Sequence, residues 1–247
     1  MKIIISPAKK MNSDQDFMAP KGLPKFIDRA EDIINYLGTL SYDELKAIWK
    51  CNDAIAAQNS ERIQNMNLRE SLVPALLSYE GLQYQYMAPQ VFDNAQWEYV
   101  GNHLVILSGL YGALKPLDGI SPYRLEMLSK FEKPLENHKN LYSYWGDALY
   151  QELKGHSILN LASKEYSKCI EKYLGPGDVM VTCTFGSLVD GKVKVKATDA
   201  KMARGEMVRY LAERQVADLE GAKHFNSMGY QFSEEHSTDN SFVFLKD

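Results

Sequence analysis

Short apolar runs alternate along this chain with longer stretches in which apolar residues recur at helical spacing. The runs are rich in β-branched residues and in leucine, which is typical of strands buried on both faces of a sheet. The alternation predicts an α/β fold whose mixed sheet is partly parallel and is surrounded by helices. The predicted strands are residues 2–6, 103–108, 157–162, 178–185, 192–197 and 241–245, and the clearest helices are 141–153 and 200–215.

The longest helical stretch, residues 26–90, predicts a lobe on one side of the sheet. Its first apolar face ends at Gly38, and Ser41 followed by Glu44 forms a capping box that begins the next helix. Two helices over 26–57 therefore meet in a tight turn. No repeat or low-complexity linker interrupts the sequence, so we expect a single domain over residues 1–247.

Three of the predicted strands are followed by, or end in, a serine at the junction with the next loop: Ser6, Ser108 and Ser163. Ligands of open α/β sheets gather at the carboxyl ends of the strands, so these serines predict one shared site if the strands are parallel neighbours. The alternative is that each serine caps whatever follows it.

A second pattern places a cation three residues after a hydroxyl side chain. In the first turn of a helix a cation opposes the helix dipole, whereas the free N–H groups attract an anion. The pattern therefore favours a phosphate or carboxylate site, although each cation can instead turn to solvent or to a nearby aspartate. The pairs are Ser6 with Lys9, Ser121 with Arg124, and Thr198 with Lys201.

We expect Ser121-Pro122 to open a helix that runs through Met127. Lys201 and Arg204 share one face of the helix that begins near Ala200, and Gly205 beside them leaves room for close backbone approach. A rival interpretation of these two cations is a structural pairing with Asp199 or another carboxylate.

Glu126 and Glu165 are the carboxylates nearest these junctions, and either can serve as a general acid or base. The alternative is a salt bridge to Arg124, Lys164 or Lys168. The three cysteines and five histidines lack the spacing of a disulfide framework or a metal site, so we expect neither a metal nor a cofactor.

Composition adds limits on partner and location. The chain is 45% hydrophobic and carries a formal net charge of −4, which argues against a uniformly basic surface but allows a local basic patch. Basic side chains outnumber acidic ones in residues 1–29 and 192–214. No apolar run approaches the length of a membrane span or a signal peptide, so we expect a cytoplasmic protein with no membrane partner.

In order along the whole chain, a series of motifs resembles the YaaA family of peroxide-stress proteins. The motifs are Ser6-Pro-Ala-Lys9, Leu107-Ser-Gly-Leu-Tyr-Gly112, Pro116-Leu-Asp118, Pro122-Tyr-Arg-Leu-Glu-Met127, Tyr144-Trp-Gly-Asp147, Asn160-Leu-Ala-Ser-x-Glu-Tyr166, Lys201-x-Ala-Arg-Gly-x-Met207 and Phe225-Asn-Ser-x-Gly-Tyr230.

The resemblance implies a bacterial cytoplasmic protein, induced by hydrogen peroxide, that limits free intracellular iron and oxidative DNA damage. It also implies an α/β fold with a positively charged cleft, DNA binding, and a helix-hairpin-helix element that falls on residues 26–57. The stretch from Ser108 to Tyr123 is in addition similar to a motif of enzymes that act on modified nucleic-acid bases.

The leading hypothesis is a DNA-binding stress protein, monomeric, whose basic cleft holds the phosphate backbone and an unstacked base. The second hypothesis is an enzyme acting on a nucleotide, nucleoside or damaged base, with Glu126 or Glu165 as acid or base and Ser108 and Ser163 orienting the substrate. A third is an iron-handling or protein-interaction module. The predicted nucleic-acid and anion-binding residues are Ser6, Lys9, Lys10, Ser108, Tyr111, Tyr123, Arg124, Ser163, Tyr166, Lys201 and Arg204.

Overall fold

Five parallel strands form the centre of the fold, and the rest of the chain is arranged around them. The computed structural model of the chain describes residues 1–13 and 18–246. Within these residues the strands are β1 (Lys2–Ile5), β2 (Lys10–Met11), β3 (Val73–Pro74), β4 (Tyr79–Glu80), β5 (Leu104–Ser108), β6 (Gly112–Leu114), β7 (Gly119–Ile120), β8 (Lys130–Leu135), β9 (His138–Asn140), β10 (Ile158–Leu161), β11 (Met180–Val189), β12 (Lys192–Lys194), β13 (Gln231–Phe232) and β14 (Ser241–Leu245).

Helices flank this sheet and supply the second layer of the core. They are α1 (Ile27–Gly38), α2 (Tyr42–Trp49), α3 (Asp53–Asn65), α4 (Ala75–Ser78), α5 (Leu82–Met87), α6 (Asn94–His103), α7 (Leu141–Trp145), α8 (Ala148–Gln151), α9 (Lys164–Glu171), α10 (Ala197–Glu213) and α11 (Leu219–Ala222), with a 3-10 turn at Pro89–Val91.

The main sheet has the strand order β13-β14-β11-β10-β1-β5-β6, and β12 pairs with β11 outside this path. β5, β1, β10, β11 and β14 run parallel to their neighbours in this group, whereas β6, β12 and β13 are antiparallel. The predicted α/β class with a mixed, mostly parallel sheet is therefore confirmed. In β1 the side chains of Ile3, Ile4 and Ile5 are fully buried, as expected for a central parallel strand.

The predicted turn between two helices at Gly38–Ser41 is confirmed. The prediction of only two helices over 26–57 is wrong, because α2 ends at the left-handed Lys50 and Asn52 caps a third helix, α3. Ser41 caps α2, with both hydrogen bonds of the capping box present between Ser41 and Glu44. The paired helices lie beside β8, where Glu44 forms an ion pair of 2.7 Å with Lys133 and the Tyr36 hydroxyl donates to the Lys133 carbonyl. The identity of this hairpin as a helix-hairpin-helix motif that contacts DNA stays a prediction.

Two further helix predictions are wrong in detail. Residues 121–126 form no helix and residue 127 begins a turn; Tyr123, Leu125 and Met127 alternate into the core with the period of two of an extended segment. The predicted helix over 141–153 is divided into α7 and α8 at Gly146, whose φ of 56° does not continue a helix.

The long C-terminal helix starts earlier than predicted. α10 begins at Ala197 with Lys196 as its N-cap, so Thr198 lies inside the helix and caps nothing. Lys201 and Arg204 consequently lie beyond the first turn. The prediction that each hydroxyl-cation pair opens a helix is therefore wrong. The three cations Lys9, Arg124 and Lys201 nevertheless line one cleft.

Candidate functional site

The carboxyl ends of the three neighbouring strands β10, β1 and β5 form one rim of the molecule. The Ser6 Oγ lies 3.2 Å from the Ser163 Oγ and accepts a hydrogen bond of 2.8 Å from the Ser163 backbone N–H. Ser108, at the end of β5, joins the same region through a 2.6 Å hydrogen bond to the Tyr123 hydroxyl. The predicted convergence of the three serines follows from the parallel pairing of β1 with both neighbours.

Above this rim lies a cleft of about 400 Å³. It is lined by residues 6–10, 80–84, 123–126, 163, 165, 166, 201 and 204. The structure thus brings together these predicted site residues: Ser6, Lys9, Lys10, Tyr123, Arg124, Glu126, Ser163, Glu165, Tyr166, Lys201 and Arg204. The volume is in the range of pockets that hold a small ligand or one nucleotide unit.

Ser108 and Tyr111, also predicted to contact the ligand, lie beneath the floor of the cleft. Both are fully buried and neither lines it. The Ser108 Oγ accepts a hydrogen bond from the Tyr111 backbone N–H and shares another with Tyr123, whose hydroxyl also bonds Tyr79 at 2.9 Å. Both residues contact Tyr123, which lines the cleft, and the segment that carries Tyr123 lies between them and the cleft.

Gly109 makes this arrangement possible. A Cβ at this position would lie 2.5 Å from the Leu125 carbonyl oxygen, so a larger residue would push the extended segment away. Gly109 therefore admits a neighbouring backbone of the protein itself, directly beside the segment that carries Tyr123 and Arg124 to the cleft.

The cations of the cleft divide into paired and unpaired ones. Lys9 and Arg124 both face Glu126, at 3.0 and 3.6 Å, and the exposed Lys10 pairs with Glu80. Lys201 and Arg204 form no ion pair among the described residues. The rival prediction that Asp199 neutralises them is wrong, because Asp199 pairs with Lys246 at 2.8 Å.

Three hydrogen-bond donors that line the cleft are buried and lack a partner among the described residues. They are the Nε atoms of Arg124 and Arg204 and the Nε2 atom of Gln83. A buried donor left unsatisfied costs about 1–3 kcal/mol. Burial also lowers the pKa of Arg204, although a guanidinium keeps its charge at neutral pH. A ligand that supplies acceptor oxygens would satisfy these groups.

Two carboxyl groups share the cleft in different environments. Glu165 accepts a 3.0 Å hydrogen bond from the Leu128 backbone N–H, while burial and then the nearby charge of Glu126 raise its pKa. Lys164, an alternative partner of Glu165, pairs with Glu171 instead. Glu126 lies 3.0 Å from the Lys9 ammonium and 3.6 Å from the Arg124 guanidinium. Such a pair of carboxyl groups can divide acid and base roles.

The described residues contain no cluster of three or more histidine, cysteine or acidic side chains arranged to hold a metal ion. Among the same residues, no helix is both long enough and apolar enough to cross a membrane.

Sequence comparison places the chain among known proteins. A family model described as "Peroxide stress protein YaaA" matches residues 1–236. The chain belongs to the YaaA peroxide-stress protein family. It is 53% identical to a UPF0246 protein of Agathobacter rectalis over 99% of this chain and 98% of that protein. It is 52% identical to a UPF0246 protein of Desulfitobacterium hafniense over 100% of this chain and 98% of that protein.

Within this member of the family, sequence reasoning missed Gln83. Helix α5 showed only a short tyrosine-rich pattern, and a glutamine in such a stretch is usually exposed. The available signal was Gly205, since an isolated glycine inside a helix often marks close approach of another segment. The approaching segment is α5: a Cβ at position 205 would lie 2.0 Å from the Gln83 carbonyl oxygen. The close backbone approach predicted at Gly205 is therefore made by α5 of the protein itself.

Proposed function

We propose that this protein binds DNA during peroxide stress and that a backbone phosphate occupies the cleft. The observation that carries the proposal is the state of Arg204, which is half-buried, lines the cleft, and has neither an acidic partner nor an acceptor for its buried Nε among the described residues. A charge in that state destabilises the free protein. A phosphate oxygen would pair with it, and bonds from guanidinium to phosphate are among the strong ones.

The neighbouring groups support the same ligand. Lys201 lies one helical turn before Arg204 on α10 and is exposed, so it can approach a second phosphate oxygen. Arg124 reaches the cleft from the extended segment and also has an unpartnered Nε. The three cations come from two separate segments, and Lys9 extends the basic rim, whereas the net charge of the chain is −4. Such a local concentration favours an anion over a neutral ligand.

Membership of the YaaA family supports the biological half of the proposal. A protein that covers DNA protects it from the hydroxyl radicals that form where iron meets peroxide. The family resemblance implies a second effect, a lower level of free intracellular iron. The proposal places the protein in the cytoplasm, as a monomer. The helices α1 and α2 would add a second DNA contact if their hairpin acts as the resemblance implies.

The test is DNA binding by purified protein, measured by fluorescence anisotropy with a labelled duplex and a labelled single strand. Arg204→Gln is expected to weaken binding. Arg209→Gln is the matched control, because Arg209 lies on the same helix but pairs with Glu213 outside the cleft. Equal affinity of the wild type and the Arg204 variant for both DNAs would contradict the proposal.

A second candidate function is an enzyme acting on a nucleotide, nucleoside or damaged base in the same cleft. The observation that favours it is the carboxyl pair: Glu165 with a raised pKa lies near Glu126, which forms ion pairs with Lys9 and Arg124. Glu165 would donate the proton and Glu126 would stabilise positive charge or accept a proton. The test is the release of a base or nucleoside from damaged DNA. This function is established if the wild type shows such release and the Glu165→Gln variant loses it while keeping its affinity for DNA.

A further inference from the structure

Gln83 presents an amide that the fold of the protein does not use. The residue is 7% exposed, it lines the cleft, and its buried Nε2 has no hydrogen-bond partner among the described residues. No described residue is bonded to its Oε1, which is not among the buried atoms, so the acceptor half of the amide is open to a ligand as well. Buried polar side chains in native proteins are generally satisfied, and an exception requires a reason.

The position of this amide is fixed by close helix packing. Gly205 on α10 allows the backbone of α5 to approach so closely that a Cβ would lie 2.8 Å from the Gln83 carbonyl carbon and 3.0 Å from the Met87 nitrogen. Gly205 directly follows Arg204, so this contact brings together the backbones of α5 and α10 next to Gln83 and Arg204. Both side chains with unpartnered groups therefore line the cleft from two closely packed helices.

A phosphate would use only one half of the Gln83 amide. Phosphate offers acceptors only, so it can accept a hydrogen bond from Nε2 but provides no donor for Oε1. An amide is matched by a ligand that offers a donor beside an acceptor, which is the polar edge of a nucleobase. Glutamine and asparagine pair with such edges through two parallel hydrogen bonds.

The aromatic walls of the cleft fit the faces of the same ligand. Tyr84 donates its hydroxyl to the Ser6 carbonyl at 2.9 Å, and the Tyr123 hydroxyl is held by Ser108 and Tyr79. Both residues line the cleft, are more than nine-tenths buried, and have their polar tips bonded within the protein. Apolar walls with one unpartnered amide suit a planar ring with polar edges, as in the capture of unstacked bases.

We propose that the cleft binds a single nucleotide unit, with its phosphate at Arg204 and the edge of its unstacked base read by the Gln83 amide. This inference rests on the proposed function, since it uses the same phosphate position. It adds that the site takes the base as well as the backbone, so the cleft discriminates among nucleotides and prefers DNA in which a base is free to leave the stack.

The test is calorimetric titration with dAMP, dGMP, dCMP, TMP and the abasic analogue 2-deoxyribose 5-phosphate. In the wild type at least one nucleotide is expected to bind about 10-fold or more tightly than the abasic probe, as one bidentate pair would give. Gln83→Met, nearly equal in shape, should abolish this preference and leave the affinity for the abasic probe unchanged. The matched control is Gln85→Met, since Gln85 lies on the same helix but is exposed and outside the cleft.

Melting temperature separates recognition from a structural role. Replacing an unpaired buried amide by an apolar group of the same shape should leave the melting temperature unchanged or raise it. Nucleotides that bind no more tightly than the abasic probe, no binding of any probe, or a preference retained in Gln83→Met would each overturn the inference. DNA binding that depends on Arg204 but shows no base preference would overturn it while the proposed function stands.

Discussion

The close packing of α5 on α10 makes Gly205→Ala the most informative single change to the scaffold. In an ordinary helix this substitution is favourable by about 1 kcal/mol, because alanine has the higher helix propensity. At position 205 the new Cβ would meet the Gln83 carbonyl oxygen at 2.0 Å and the Met87 nitrogen at 3.0 Å. Both are backbone atoms, which cannot rotate away as the end of a side chain can.

Overpacking of this kind costs about 3 kcal/mol when backbones must separate, so the net loss is about 2 kcal/mol. For a chain of this size that loss lowers the melting temperature by about 4–8 °C. Urea unfolding and a thermal scan, both followed by circular dichroism, measure it. Gly101→Ala in α6 is the control, because its Cβ would have open space and the change should stabilise by about 0.4–1 kcal/mol. A Gly205 variant as stable as the wild type would refute the packing argument.

Two further predictions concern the capping box and a buried carboxyl group. Ser41→Ala should reduce the free energy of unfolding in urea by about 0.5–2 kcal/mol, because α2 loses the acceptor for its Glu44 N–H; an unchanged midpoint would show that the box contributes nothing. Burial raises the pKa of Asp118 from 3.8 to about 6, so folding favours its protonated form and the stability it contributes is lost as pH rises through that interval. Asp118→Asn should remove this loss of stability with rising pH. Parallel pH profiles of the unfolding free energy for wild type and variant would contradict the raised pKa of Asp118.

The parts of the fold that depend on local pattern were predictable. The five parallel strands, the turn at Gly38–Ser41 and the convergence of Ser6 and Ser163 follow from apolar runs, a capping box and the topology of parallel sheets. The hydroxyl-cation spacing selected three cations that line one cleft, although none of them lies in a first helical turn opened by its hydroxyl residue. Those cations meet through tertiary packing, with Arg124 on an extended segment and Lys201 inside a helix.

The rest of the site depends on contacts between segments distant in sequence. Nothing in the order of residues shows that Gly205 opposes Gln83 across a helix pair, or that Gly109 admits Leu125. The same limit explains why Tyr111 was predicted as a ligand contact, although it lies under the cleft floor. Periodicity assigns a residue to a face of its own element, whereas the identity of the opposing element needs the three-dimensional structure.

The salt dependence of DNA binding tests most directly the central claim that Lys201 and Arg204 hold phosphate. The equilibrium constant is measured for wild type and the Lys201→Gln/Arg204→Gln variant at several salt concentrations, together with the melting temperature. We predict weaker binding and a salt slope shallower by up to about two phosphate contacts, with stability unchanged or higher, because an unpaired half-buried charge is removed. An unchanged slope together with a lower melting temperature would contradict the account.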